Sequence, residues 1–137
     1  MTWNYHRPLD TPSKRVRGLG SAKDGTHHWW MQRLTAILMI PLCIWFVASI
    51  LYLAVNGGQS IGSWFSNPFH ALASIVLFSA AFYHAKLGMQ VVIEDYIHCH
   101  CAKTAMLIAN SFIFFIAGLA TVLAVAKIHL SSMSAIV

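Results

Sequence analysis

The chain has 137 residues, of which 58% are hydrophobic and only 9% are charged. A soluble domain usually carries about 25% charged residues, so this composition excludes an ordinary water-soluble domain and indicates one small membrane domain. The net charge is +5, and six of the nine lysines and arginines precede the first hydrophobic run. Membrane topology therefore explains the charge better than a nucleic-acid-binding surface does, and we expect no nucleic-acid partner.

The N-terminal part of the chain, residues 1–33, is polar and rich in proline and glycine. We expect an irregular basic arm there, lying on the cytoplasmic side of the membrane. The arm ends in Trp29 and Trp30, which are typical of a membrane interface. Arg33 stands at the mouth of the first span, where it either pairs with a carboxylate of a bound ligand or anchors the chain electrostatically. His27 and His28 are either partners of the same carboxylate or plain interface residues.

Three apolar segments are long enough to cross about 30 Å of hydrocarbon as helices, namely 34–55, 69–93 and 104–126. The sequence therefore predicts an all-α membrane protein with three transmembrane helices in residues 34–137. The excess of positive charge in the arm places the N terminus in the cytoplasm and the C terminus outside it. We expect Trp64 and Phe65, in the first loop, to lie at the membrane interface.

The second span is the only one of the three that contains a histidine or a lysine. Because a helix turns about 100° per residue, His84, Gly88, Val91 and Asp95 fall on one stripe, with Asp95 about 16 Å from His84. Tyr96 follows directly. Ionisable groups at membrane depth are costly and usually face protein or a cofactor, so this stripe is the candidate site.

Two chemistries fit the stripe. A neutral imidazole in the membrane can ligate haem iron, and a glycine one turn away lets a flat macrocycle approach. An acid beside a phenol, as in Asp95-Tyr96, can hydrogen-bond a quinone and relay protons to it. The alternatives are that His84 makes an interhelical hydrogen bond and that Asp95-Tyr96 is a solvated helix end. His70 lies on the same stripe. It either ligates a second haem or, as we prefer, is a residue of the membrane interface.

Lys86 and the run His98-Cys99-His100-Cys101 do not belong to this stripe. Lys86 lies about 200° from His84, so we expect it to snorkel or to meet a partner subunit. Zinc ligands usually stand two to four residues apart within a pair, and alternating ligands in so short a run disfavour a metal site. The three cysteines do not suggest a disulfide framework, because two of them lie in a loop that we expect to be cytoplasmic.

Two segments of the chain resemble the hydrophobic membrane-anchor D subunit of succinate dehydrogenase, the succinate:quinone oxidoreductase called complex II. The first is Gly18-Leu19-Gly20-Ser21-Ala22-Lys23 with His27-His28-Trp29-Trp30-Met31-Gln32-Arg33-Leu34-Thr35-Ala36. The second is His84-Ala85-Lys86-Leu87-Gly88-Met89-Gln90-Val91-Val92-Ile93-Glu94-Asp95-Tyr96, which matches the family pattern His-x-x-x-Gly-Met followed by Asp-Tyr. The third helix matches only as an apolar span.

The resemblance implies a role for each matching residue. His84 is implied to be an axial ligand of a haem b that the chain shares with a second anchor, the C subunit. Tyr96 and Asp95 match the pair at the ubiquinone site. Arg33, and less directly His27, match residues near the haem propionates. An iron–sulfur subunit would complete the quinone pocket.

The resemblance also implies an overall activity and a location. A flavoprotein subunit would oxidise succinate, so this chain would hold no dehydrogenase active site of its own. It would pass electrons to quinone in a bacterial inner membrane. Two alternatives stay open: an anchor of a fumarate reductase, which runs the same chemistry backwards, and a structural membrane subunit without a cofactor. Neither Lys86 nor the His98–Cys101 run is explained by the family.

Overall fold

The computed structural model describes residues 23–56 and 61–134, and every regular element in these two stretches is a helix. Three of the helices are long and apolar enough to cross a membrane, which confirms the predicted all-α fold with three spans. In chain order the elements are α1 (Lys23–Asn56), α2 (Ile61–Phe65), α3 (Pro68–Tyr96) and α4 (His100–Ser134).

Each long helix extends beyond the apolar segment that predicted it. The largest difference is in α1, which begins at Lys23, so the last third of the arm is helical and not irregular. Between Lys23 and Pro41 the chain has one glycine, Gly25, and no proline. Little in this stretch therefore opposes helix formation. The part of the arm before Lys23 lies outside the described residues.

The ends of α3 are fixed by local chemistry. The side chain of Asn67 accepts a hydrogen bond of 2.9 Å from the backbone N–H of Phe69, and Pro68 occupies the first helical position. The Asn67 side chain gives a partner to an N–H that has none within the helix, and Pro68 has no N–H to satisfy. This pair of residues therefore favours the start of a helix. At the other end Ile97 adopts an extended backbone, so α3 stops at Tyr96.

The helices α1 and α3 form an antiparallel hairpin, and α4 packs against α3. The core lies where α1 leads into α3, around Trp64, Phe65, Ala71 and Val125. Trp64 stacks on Trp45 of α1 with ring centroids 5.6 Å apart. Trp64 and Phe65 are only 7% and 8% exposed, so both rings face the bundle and not the lipid. Our expectation that they lie at the depth of the membrane interface stays a prediction. The short helix α2 turns both rings into the bundle.

Two histidines hold α2 in place. His70 of α3 donates from Nδ1 to the carbonyl of Trp64 at 2.9 Å, and His129 of α4 donates from Nδ1 to the carbonyl of Phe65 at 2.7 Å. Carbonyls at the end of a helix have no partner within it, so these two bonds satisfy groups that would otherwise be buried unpaired. His70 also stacks on Trp64, which favours a structural role for it over service to a second haem.

The bundle buries little of its own apolar surface. None of the most apolar stretch of α1 is buried, and the corresponding shares for α3 and α4 are 17% and 11%. An apolar surface of this extent is not stable in water, so lipid or other membrane helices must cover it. The three helices therefore lie in a membrane, in contact with lipid or with helices of other subunits.

Candidate functional site

His84 lies between α3 and α1, where it is half-buried. Its two ring nitrogens both meet side chains of α1. Thr35 Oγ1 lies 2.9 Å from Nδ1, and Gln32 Nε2 lies 3.3 Å from Nε2. The histidine is therefore held at membrane depth by two polar groups of the neighbouring helix, and it does not point into lipid.

The surrounding atoms decide which ring nitrogen carries the hydrogen. The Thr35 hydroxyl lies 2.8 Å from the Met31 carbonyl and 3.1 Å from the Gln32 carbonyl, and both of these can only accept. Its single hydrogen is therefore used within α1, and its lone pairs accept the Nδ1–H of His84. The Gln32 amide nitrogen can only donate, so the lone pair of His84 lies on Nε2. Both contacts indicate the same tautomer.

These contacts reveal a polar face on α1 that the sequence analysis missed. His28, Gln32 and Thr35 fall within about 60° of one another around the helix. The missed signal was their spacing of four and three residues, which places all three on one face of the helix. His28 Nε2 and Gln32 Oε1 are buried without a hydrogen-bond partner among the described residues. Buried polar atoms of this kind need an explanation, and an ordered water, an ion or a bound group can supply the partner.

Gly88 lies one turn beyond His84 on the same face of α3. A Cβ atom built on Gly88 would lie 3.6 Å from Gln32 Nε2, which is an ordinary van der Waals separation. The glycine therefore brings α3 close to the polar face of α1, and the space beside it has room for a methyl group but is bounded by Gln32.

The opposite end of the stripe is open. Asp95 and Tyr96 end α3 with both side chains exposed, that of Tyr96 at 77%. The turn after them is tied down by Lys103, whose Nζ donates to the Glu94 carbonyl at 2.8 Å. The carboxylate of Glu94 accepts a second bond of 2.8 Å from Gln90 Nε2. The phenol of Tyr96 is thus presented at the edge of an ordered turn, within reach of a ligand or a partner.

Arg33 and His27 lie on α1 but not on the face that contacts His84. The guanidinium of Arg33 stacks over the ring of Trp29, 4.2 Å from its centroid, and both Arg33 and His27 are exposed. Arg33 lies about 100° around α1 from Gln32. The role of these two residues near a haem propionate stays a prediction, and of the neighbouring histidines it is His28 that shares the face of Thr35.

Lys86 occupies a groove between α3 and α4, on the side of α3 away from His84. The groove has a volume of about 390 Å³ and is lined by Tyr83, Ser111 and Phe115, among others. Asn110 of α4 is 6% exposed and donates to the Lys86 carbonyl at 3.1 Å, which joins the two helices beside the groove. The expectation that Lys86 snorkels or meets a partner subunit stays a prediction.

The described stretches hold no group of three or more His, Cys, Asp or Glu residues that could bind a metal ion together. The run that begins at His98 is split by structure: residues 97–99 are not helical, and His100 begins α4. Cys99 and Cys101 are free and exposed, as is Cys43 in α1. These residues alone therefore do not form a complete set of protein ligands for a metal ion.

Comparison with known proteins gives the family. Residues 7–118 match the family described as "Succinate dehydrogenase/Fumarate reductase transmembrane subunit". A relative from Rickettsia bellii is 35% identical over 129 residues, which cover 91% of this chain and 97% of the relative. One from Rickettsia conorii is 37% identical over 95 residues, 69% of this chain and 75% of the relative. One from Paracoccus denitrificans is 28% identical over 102 residues, covering 74% and 79%.

All three relatives carry the name "Succinate dehydrogenase hydrophobic membrane anchor subunit". No solved structure matches the chain. The resemblance seen in the two sequence motifs is confirmed, and the three apolar helices agree with it. This chain belongs to the family of succinate dehydrogenase/fumarate reductase transmembrane subunits, as a membrane anchor that works together with the other subunits of such a complex.

Proposed function

We propose that the chain anchors a succinate-oxidising complex in the membrane, supplies one axial ligand of haem b and forms part of the site at which ubiquinone is reduced. The observation that carries this proposal is the position of His84. Its imidazole is half-buried between α1 and α3, with the lone pair of Nε2 facing the polar face of α1. A neutral imidazole with Nδ1–H donated to protein is the form in which histidine ligates metals.

The residues around His84 fit one side of a haem. They offer one nitrogen ligand, a glycine with no side chain one turn away, and two buried polar atoms, on His28 and Gln32, that have no partner within the described residues. When bound, the haem would supply one-electron transfer. This chain would hold the haem and limit the access of water to it. The second axial ligand would come from the C subunit, the other anchor of the complex.

Tyr96 and Asp95 are the proposed quinone contacts. The phenol of Tyr96 is exposed at the end of α3, so it can donate a hydrogen bond to a quinone carbonyl without a rearrangement of the helix. Asp95, beside it and also exposed, can receive protons from water and deliver them to the reduced quinone. The ordered turn held by Lys103 would form one wall, and the iron–sulfur subunit would form the rest of the pocket.

The proposed orientation follows from charge. Six of the nine lysines and arginines precede the first span, so the N terminus and the turn after Tyr96 lie in the cytoplasm, and the C terminus lies in the periplasm of a bacterial inner membrane. The quinone site then opens toward the side from which protons are taken. The flavoprotein and iron–sulfur subunits would bind on that same side.

The haem assignment is tested by a reduced-minus-oxidised spectrum of the purified complex. His84→Ala removes the proposed ligand nitrogen, so the haem b signal per flavoprotein subunit is expected to fall by at least half. His129→Ala is the matched control, because it removes a histidine whose bond to Phe65 lies at the far end of the bundle. Unchanged haem content and an unchanged spectrum in His84→Ala would show that His84 is not the ligand.

The quinone assignment is tested by comparing two electron acceptors. In Tyr96→Phe, reduction of a ubiquinone analogue is expected to show a higher KM or a lower kcat, because one hydrogen bond worth about 0.5–1.5 kcal/mol is lost. Reduction of a water-soluble dye at the head is expected to stay the same. Tyr83→Phe, which changes a tyrosine deeper in α3, is the control. Wild-type quinone kinetics in Tyr96→Phe would refute the assignment.

A further inference from the structure

We propose that Thr35 is the positioning residue for His84: its hydroxyl holds the Nδ1–H and so fixes Nε2 as the only nitrogen able to bind iron. This inference rests on the proposed haem ligation by His84. It adds a residue of α1, which no motif of the sequence analysis assigned to the site. The geometry behind it is the 2.9 Å contact between Thr35 Oγ1 and His84 Nδ1.

The hydroxyl of Thr35 is itself fixed by its own helix. Its hydrogen bonds to the Met31 and Gln32 carbonyls, at 2.8 and 3.1 Å, leave it little freedom to rotate. A threonine bonded back to its helix in this way presents its lone pairs outward in one direction. The acceptor for His84 is therefore as rigid as α1, and the imidazole plane is set by the packing of α1 on α3.

Gln32 supports the same assignment from the other nitrogen. Its amide donates to Nε2 at 3.3 Å, a long bond, and its Oε1 is buried without a partner among the described residues. Nε2 has one lone pair, so the amide and an iron atom cannot share it. The Gln32 amide can therefore satisfy Nε2 only while no iron is bound there, whereas the bond from Nδ1–H to Thr35 is compatible with iron at Nε2.

The bond from Nδ1–H to Thr35 has a measurable chemical effect. Donation of this hydrogen makes the imidazole a stronger electron donor to metal, and loss of such outer contacts typically lowers metal affinity about 10–100-fold. A stronger donor favours the ferric form over the ferrous form. Loss of the bond is therefore expected to raise the midpoint potential of the haem, by about 59 mV if the ferric-to-ferrous affinity ratio falls tenfold.

The test compares variants of the purified complex. Thr35→Val removes the hydroxyl and keeps the branched shape, and Thr35→Ser restores the hydroxyl without the methyl group. Thr121→Val is the matched control, because Thr121 also bonds back to its own helix, to the Ala117 carbonyl at 2.9 Å, but contacts no histidine in this way. Haem per flavoprotein subunit, the redox midpoint potential and the low-spin ferric spectrum are measured for each variant.

We expect Thr35→Val to bind haem more weakly and to shift the midpoint potential upward, with Thr35→Ser returning both values toward the wild type and Thr121→Val leaving both unchanged. If Thr35→Val has wild-type potential and spectrum while His84→Ala loses haem, the positioning role is wrong and the ligand assignment stands. If His84→Ala retains normal haem, both proposals fail. Thr35→Ala, which also lacks the hydroxyl, is the second variant in case Thr35→Val does not assemble. An upward shift of its potential supports the proposal, and a wild-type potential overturns it.

Discussion

Substitution of Gly88 gives a graded test of the space beside His84. A Cβ at this position would lie 3.6 Å from Gln32 Nε2, in ordinary contact, so Gly88→Ala should be accommodated without displacement of α1. Leucine adds three further carbon atoms beside Gln32, between α3 and the polar face of α1. Overpacking of this kind typically costs about 1–3 kcal/mol, which corresponds to a roughly 5- to 150-fold loss of affinity for a ligand bound there.

The assay is haem content per flavoprotein subunit in the purified complex, titrated with added haem. Gly88→Ala is expected to bind like the wild type, and Gly88→Leu is expected to bind at least fivefold more weakly. Gly118→Leu is the control, because a Cβ on Gly118 would lie 3.5 Å from Phe82 on the opposite side of α3. Equal haem affinity in Gly88→Leu and the wild type, or equal losses in the two leucine variants, would refute the reasoning.

Three further tests concern the packing of the bundle and the proposed quinone site. Trp64→Ala removes a ring that is 7% exposed, so we expect it to destabilise the complex by about 3–5 kcal/mol in thermal unfolding, whereas Trp29→Ala, 49% exposed in the wild type, should have a small effect. Asn110→Ala removes one interhelical bond in the membrane, and a loss of about 0.6 kcal/mol, at most about 1.7, is expected by the same measurement. Asp95→Asn should slow quinone reduction by less than the roughly 100-fold typical of a general acid, because water reaches this exposed position, and should leave dye reduction unchanged. A stable Trp64→Ala complex, an Asn110→Ala loss above 3 kcal/mol or normal quinone turnover in Asp95→Asn would each contradict the corresponding prediction.

Hydropathy predicted the three spans because the cost of placing charge in lipid depends on local sequence alone. It could not predict how far the helices continue beyond the lipid, since the polar turns of α1 from Lys23 onward form without any apolar signal. The burial of Trp64 and Phe65 was not predicted, for a different reason. Their burial depends on α2 folding back beneath Trp45, which is a tertiary contact and not a periodicity.

The candidate site was predictable in part. The stripe from His84 to Asp95 follows from helical geometry within one helix, so the sequence was sufficient to place those residues on one face. Thr35 was missed because its contact with His84 depends on the register between α1 and α3, which no single-helix pattern contains. The same applies to Gln32, which looks like an ordinary interface residue until α3 is placed against it.

The central claim is that His84, and not another histidine of the bundle, ligates haem b. The most direct test is the haem b content per flavoprotein subunit of complexes that carry either His84→Ala or His70→Ala. The two residues share a stripe on α3, but His70 is engaged by the Trp64 carbonyl and ring. We expect haem to fall by at least half in His84→Ala and to stay within the wild-type range in His70→Ala. Normal haem in His84→Ala, or a loss confined to His70→Ala, would contradict the account.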